Sequence, residues 1–144
     1  MQRDIQYRFG RLLTVTTRAW STYLDQRLSP LGLTGPRWHL LVELANLKEP
    51  PSQTELASLL NIESASLIKM LDAMEKADLL RRVPHKTDRR TKIIEITKGG
   101  RKVMDSISAI AKDVRKILLD GVPTEDIDAC MRVFSVIAAN LEKL

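Results

Sequence analysis

The chain has 144 residues, 44% of them hydrophobic, 28% charged and 4% aromatic, with a formal net charge of +5. That length suits one domain able to bury a core without staples, and a single cysteine, Cys130, excludes an internal disulfide framework. Arg3 and Asp4 stand near the start, and no apolar run approaches the roughly 20 residues that a bilayer requires, so the sequence predicts a cytosolic protein.

Residues 4 to 28 predict a helix, because Ile5, Phe9, Leu12, Thr16, Trp20, Leu24 and Leu28 recur at three- and four-residue spacing. Pro30 and Gly32 end it. A second helix is expected to begin between Thr34 and Pro36, to carry Trp38, Leu41, Val42 and Leu44, and to stop before Glu49, Pro50 and Pro51. Ser52 and Glu55 have the spacing of a capping box, in which hydroxyl and carboxylate each satisfy a free amide, so a short helix should span Gln53 to Leu60. Leu56 and Leu60 are expected on its core face, with Ala57 allowing a close approach. Asn61 suits a sharp left-handed turn, and Ile62 plugs the corner.

The next helix is predicted from Ser64 to about Ala77. At 100° per residue Leu67, Ile68, Met70, Leu71 and Met74 gather on one side, and Ala65, Ser66, Lys69, Asp72, Ala73 and Lys76 on the other. Two helices joined by so short a turn form a helix-turn-helix, whose short-chained outer face can enter a major groove and offer donors to base edges. An ordinary helical pair in a bundle fits the same pattern.

Directly afterwards, "LLRRVP" and "TKIIEIT" are β-prone runs on either side of "HKTDRR" and predict a hairpin. Asp88 suits its turn and is expected to hold a neighbouring guanidinium. From Leu79 to Lys102 there are nine Lys or Arg against Asp88 and Glu95, a local charge of +7, so the rest of the chain is net −2. A basic patch on a mildly acidic body is the footprint of a polyanion partner, and a charged tip beside a groove-reading helix can reach a minor groove. After Thr97 two more helices are expected. Val103, Ile107, Ile110, Val114 and Ile117 form one stripe; Ile127, Met131, Phe134, Ile137, Ala138 and Leu141 form another, separated by "DGVPTED". With the first helix they suggest an interface between two copies, packing onto the chain's own middle being the alternative.

No enzyme is predicted. The two histidines, His39 and His85, and Cys130 stand in no spacing that makes a nucleophile, a metal site or a phosphate-cradling loop, and no cofactor is expected. Cys130 lies on the last apolar stripe and reads as a small core hydrophobe. A winged helix that docks protein or structured RNA, without operator specificity, is the other class that the basic hairpin fits.

The chain resembles the MarR-type winged helix-turn-helix transcription regulators, and their SlyA branch in particular. The motif "DRRTKIIEIT", Asp88 to Thr97, fits the family's D-x-R followed by L-T, with Ile96 in place of leucine. Supporting it are "DQRLSPLGLT", Asp25 to Thr34, and "QTELASLLNIESASLIKMLDAMEKADLLRR", Gln53 to Arg82. The resemblance implies a mainly α (α+β) fold: a winged helix-turn-helix lobe over residues 34–97 with a two-stranded β wing, and a helical dimerisation region from residues 1–33 and 98–144. It implies a homodimer on a pseudo-palindromic operator, with half-sites about 34 Å apart. Carried over by position, Gln53, Ser64, Ala65, Ser66 and Lys69 face DNA, Arg89 and Arg90 belong to the wing tip with Asp88 stabilising it, and Arg81, Lys86 and Lys92 meet phosphates. Branch members often carry proline where Ala65 stands. Such regulators often bind small aromatic acids, for which the matching region offers Arg18, Trp20, Arg37, Trp38 and His39; both tryptophans lie on apolar stripes, where most tryptophans are plain core residues, so the core reading is preferred. A peroxide-sensing branch uses a cysteine near the N-terminus, which this chain lacks.

Overall fold

A computed structural model describes residues 4–88 and 90–144. It divides into two compact units, the first ending at Lys112 and the second comprising Asp113–Leu144. The first unit holds α1 (Ile5–Leu28), a 3-10 turn (Ser29–Leu31), α2 (Gly35–Asn46), α3 (Gln53–Leu60), α4 (Ser64–Lys76), β1 (Leu80–Pro84), β2 (Lys92–Ile96) and most of α5 (Lys98–Leu118). The second holds the end of α5 and α6 (Thr124–Leu141).

Local chemistry explains the boundaries. Asp4 caps α1 by accepting the Gln6 amide at 3.2 Å, and Gly32 takes φ 71°, a left-handed value that costs glycine nothing. Thr34 occupies the cap position of α2 by its extended backbone, with Pro36 in the first turn, yet its hydroxyl makes no cap bond. The predicted capping box on α3 is present in both halves: Glu55 N–H donates to Ser52 Oγ at 3.2 Å, and Ser52 N–H to Glu55 Oε2 at 2.7 Å. Asn61 ends α3 at φ 50°, and the Ile62 amide donates back to Ala57 O at 3.1 Å. The α3–α4 corner is therefore fixed by backbone geometry.

The core of the first unit lies among these elements. Leu28, Leu40, Leu41, Leu56, Leu67, Leu71 and Met74 are inaccessible, and Leu80 and Ile94 nearly so. On α4 the buried residues are Leu67, Leu71 and Met74. Ile68, expected with them, is 41% exposed because it lies on the flank of the helix toward the hairpin rather than on the inward stripe. Leu60 is only half-buried.

β1 and β2 pair antiparallel with Leu80 opposite Ile96, Arg81 opposite Glu95 and Arg82 opposite Ile94. A third strand exists in miniature. Ser52 bridges Ile93, and Ile94 N–H donates to Pro51 O at 2.9 Å. Pro50 and Pro51 have no N–H to extend this ladder, so it stops there.

Strand β2 passes into α5 through one close contact. Thr97 Oγ1 donates to Asp78 O and accepts the Gly100 amide at 3.0 Å, capping α5 and tying it to the α4–β1 turn. A side chain at Gly100 would place its Cβ 2.0 Å from Leu79 O. In the second unit, α6 buries none of its residues: Met131, Phe134, Val136 and Leu141 are all exposed. Cys130 is exposed too, which corrects its reading as a core hydrophobe.

Candidate nucleic-acid interface

The site is built on α4 and the hairpin that follows it. Burial of Leu67, Leu71 and Met74 turns the opposite face of α4 outward, so Ser64, Ala65, Ser66 and Lys69 are all exposed. Their side chains are short until Lys69, which leaves the leading end of the helix slim enough for a major groove. Gln53, at the first turn of α3, is half-buried. Beside the α3–α4 turn an open hollow of about 390 Å³ is lined by Thr54, Ser58, Asn61 and Ser64.

The wing is fixed to this helix by Arg82, a residue the sequence marks only as one more cation. Its side chain is 16% exposed. Nη1 donates to Glu75 Oε2 at 2.8 Å, Nη2 to Asp72 Oδ1 at 2.7 Å, and the Arg82 amide to Glu75 Oε1 at 3.0 Å. Two carboxylates one turn apart on α4 thus grip both the guanidinium and the backbone of β1. The signal was available: Asp72 and Glu75 lie at i, i+3 on one flank of α4, and hairpin alternation puts Arg82 on the strand face turned toward them.

At the tip, the His85 amide donates to Thr91 O at 2.8 Å and closes the loop. Among the described residues Asp88 holds a backbone amide and a hydroxyl; of the two neighbouring guanidinium groups, that of Arg89 lies outside them. Its Oδ1 accepts the Arg90 amide at 3.0 Å and its Oδ2 the Thr91 hydroxyl at 3.0 Å, the bonding habit of an Asx turn. Arg90, Lys86 and Lys92 are exposed and enter no ion pair among the described residues. Arg89 lies outside the described residues. Arg81 is placed differently from its wing neighbours: Nε and Nη2 donate to Glu95 Oε2 at 3.1 and 2.8 Å, on the sheet face opposite Arg82.

Residues 33–92 match the MarR family. The chain is also similar to a solved transcriptional regulator, PA3341, with 40% identity and a TM-score of 0.84 over 94% of this chain and 99% of that one. The chain belongs to the MarR family. AbsC from Streptomyces coelicolor, a MarR family transcriptional regulator, shares the fold at 24% identity and a TM-score of 0.83, covering 100% of this chain and 99% of its own. A mutant MarR from E. coli, solved with operator DNA, does so at 20% identity and a TM-score of 0.77, covering 93% and 98%. The six helices and two-stranded sheet described above are thus a MarR-family winged helix-turn-helix.

Of the five residues matched to a ligand region, Trp38 and His39 stack on one another, and no described contact joins them to Arg18, Trp20 or Arg37. Trp38 is buried, stacked on His39 with ring centroids 3.7 Å apart, and its indole N–H donates to Asp25 Oδ1 at 2.7 Å. Asp25 also sits 3.2 Å from where a Cβ on Gly35 would be, so the Asp25–Trp38 bond joins α1 to the close start of α2. Trp20 and Arg37 are half-buried, and Arg18 is exposed. Among the described residues no cluster of His, Cys, Asp or Glu could hold a metal ion, and no helix is long and apolar enough to cross a membrane.

Proposed function

We propose that this MarR-family protein is a transcription regulator that grips double-stranded operator DNA as a homodimer, one α4 in each of two successive major grooves and the hairpin tips beside them. The observation that carries this reading is the pairing of a slim, exposed α4 face with a cationic hairpin locked to that helix through Arg82. Ser64, Ala65, Ser66 and Lys69 read base edges, Gln53 steadies the start of α3 on the backbone, and Lys86, Lys92, Arg90 and Arg89 serve the wing. Arg81 is left out of the phosphate set, because Glu95 already holds it on the sheet face away from α4.

The SlyA-like branch is our finer assignment, resting on the motif from Asp88 to Thr97, and a regulator of operator DNA works in the cytoplasm, at the nucleoid. We assign no aromatic-acid site to Arg18, Trp20, Arg37, Trp38 and His39: the Trp38 indole is committed to Asp25, the bond of a core tryptophan. The deciding experiment is a mobility shift against random duplex DNA, selected operator DNA and RNA across a salt series. Binding through six to ten phosphates loses about three to five decades of affinity between 50 and 200 mM salt. A response flat in salt, or a preference for RNA, refutes the operator reading and favours a protein- or RNA-docking module.

A further inference from the structure

The root of the hairpin carries a feature that the grip on DNA does not use. Because the miniature strand stops at Pro51, the edge of β2 beyond Ile94 is left open. There Leu47, Pro50, Ile94 and Ile96 wall a groove of about 440 Å³, within the roughly 300–1,000 Å³ of small-molecule sites. Three cations from three separate elements converge on it: Lys48 after α2, Arg81 in β1 and Arg101 in the first turn of α5. One acid, Glu95, also lines it, and its Oε2 bonds to Arg81. Three cations against one carboxylate leave two positive charges, and Lys48 and Arg101 enter no ion pair among the described residues. Arg81 offers Nη1 as a further donor that no described residue occupies.

We propose that this groove binds a small organic dicarboxylate. One carboxylate meets Arg101 and Lys48, the other meets Arg81, and the short carbon chain lies against Leu47 and Pro50. The charge balance selects a dianion over a monoanion, and the apolar side chains of Leu47 and Pro50 beside the cations give a carbon body a footing that a bare inorganic ion does not use. DNA is an unsuitable occupant, since Arg81 points from the sheet face opposite the one that α4 holds through Arg82. Occupation links β1 to α5 and to the α2–α3 loop, and it competes with Glu95 for Arg81. The hairpin root thereby shifts and operator affinity changes, a consequence that rests on the operator-binding reading above.

The test uses full-length protein with labelled isoleucine methyls, titrated at constant ionic strength with glutarate, with butyrate as the single-carboxylate control, and with inorganic phosphate. The expected result is a saturable shift of the Ile94 and Ile96 methyls, half-complete below about 1 mM glutarate, with butyrate and phosphate weaker by about tenfold or more. Arg101→Gln and Lys48→Gln, both at exposed positions, should each weaken glutarate by about tenfold, while Arg101→Lys retains part of the binding. Methyls unmoved at about 50 mM glutarate, equal response to phosphate, or unchanged binding in Arg101→Gln would overturn the site. Mobility shifts with and without glutarate form a separate arm. If operator binding is absent altogether, the functional reading fails while the methyl titration still judges the groove; if the methyls shift and operator affinity stays constant, the regulatory coupling is refuted.

Discussion

At the scale of single residues, wing and reading helix carry different loads. Arg90 has its backbone pinned by Asp88 and its side chain exposed, so its charge is presented on a fixed stem. Arg90→Ala is expected to weaken operator binding by about 1–3 kcal/mol, read as a rise in Kd of about five- to 150-fold, with little change in unfolding free energy. Lys69→Ala is expected instead to change which sequences are recovered in a selection from random DNA. Arg82 is a positioning residue: Arg82→Ala leaves Asp72 and Glu75 unpaired on α4 and cuts the wing loose. Because both carboxylates are partly exposed, the loss is set at about 1–2 kcal/mol of stability by urea unfolding, below the figure for a fully buried pair. Arg82→Lys should not restore it, since one ammonium cannot fork between two acids. Gly100→Ala is a backbone problem, for Leu79 O cannot yield by the distance a Cβ requires; about 3 kcal/mol of destabilisation is expected in the same assay.

At the scale of elements, what was legible in the sequence was whatever local chemistry decides. The Ser52–Glu55 spacing gives α3 its start, Asn61 its stop, and the β-prone runs on either side of the charged turn give the hairpin its two strands. The slim face of α4 was legible for the same reason, as it follows from where Leu67, Leu71 and Met74 must go. Contacts between residues distant in sequence were not: the bridge from Ser52 to Ile93, the Asp25–Trp38 bond and the Gly100 packing need the tertiary arrangement. The Arg90 amide and the Thr91 hydroxyl, within three residues of Asp88, are the partners it takes among the described residues, a local pattern that an Asx turn implies. The α3 cap makes a pH prediction. The Ser52 backbone amide, then the Ser52 side chain, and least the charge of His85, hold the Glu55 carboxyl below its ordinary range. A lowered folded-state value means that this stabilisation is complete above the ordinary glutamate range and is lost as pH falls through the lower, folded value. Urea midpoints measured from pH 6 downward should therefore fall less steeply for Glu55→Gln than for wild type, and identical slopes would refute the role of this cap.

At the scale of the whole molecule, α1 and α6 pose a common problem. Ile5, Tyr7, Phe9, Leu12 and Val15 are exposed on α1; Met131, Phe134, Val136 and Leu141 are exposed on α6, which buries nothing of its own. Single exposed apolar side chains are normal, whereas a run of them along a helix marks an interaction surface, and each of these helices carries its own. In a homodimer the partner subunit covers them, each large side chain contributing about 1.5–3 kcal/mol when fully buried. Sedimentation of the full chain should report a dimer, and truncation after Gly121, which removes α6, should yield a monomer. The fragment alone leaves misfolding as a rival cause, so a full-length Phe134→Asp, Met131→Asp variant is the companion test. It places two charges on side chains that are exposed in the single chain. If it sediments as a folded monomer, with helical circular dichroism unchanged and operator affinity reduced because only one α4 engages each duplex, α6 lies at the interface. If both the truncated chain and this variant remain dimeric, the two copies meet through other elements and the assignment of α6 is wrong.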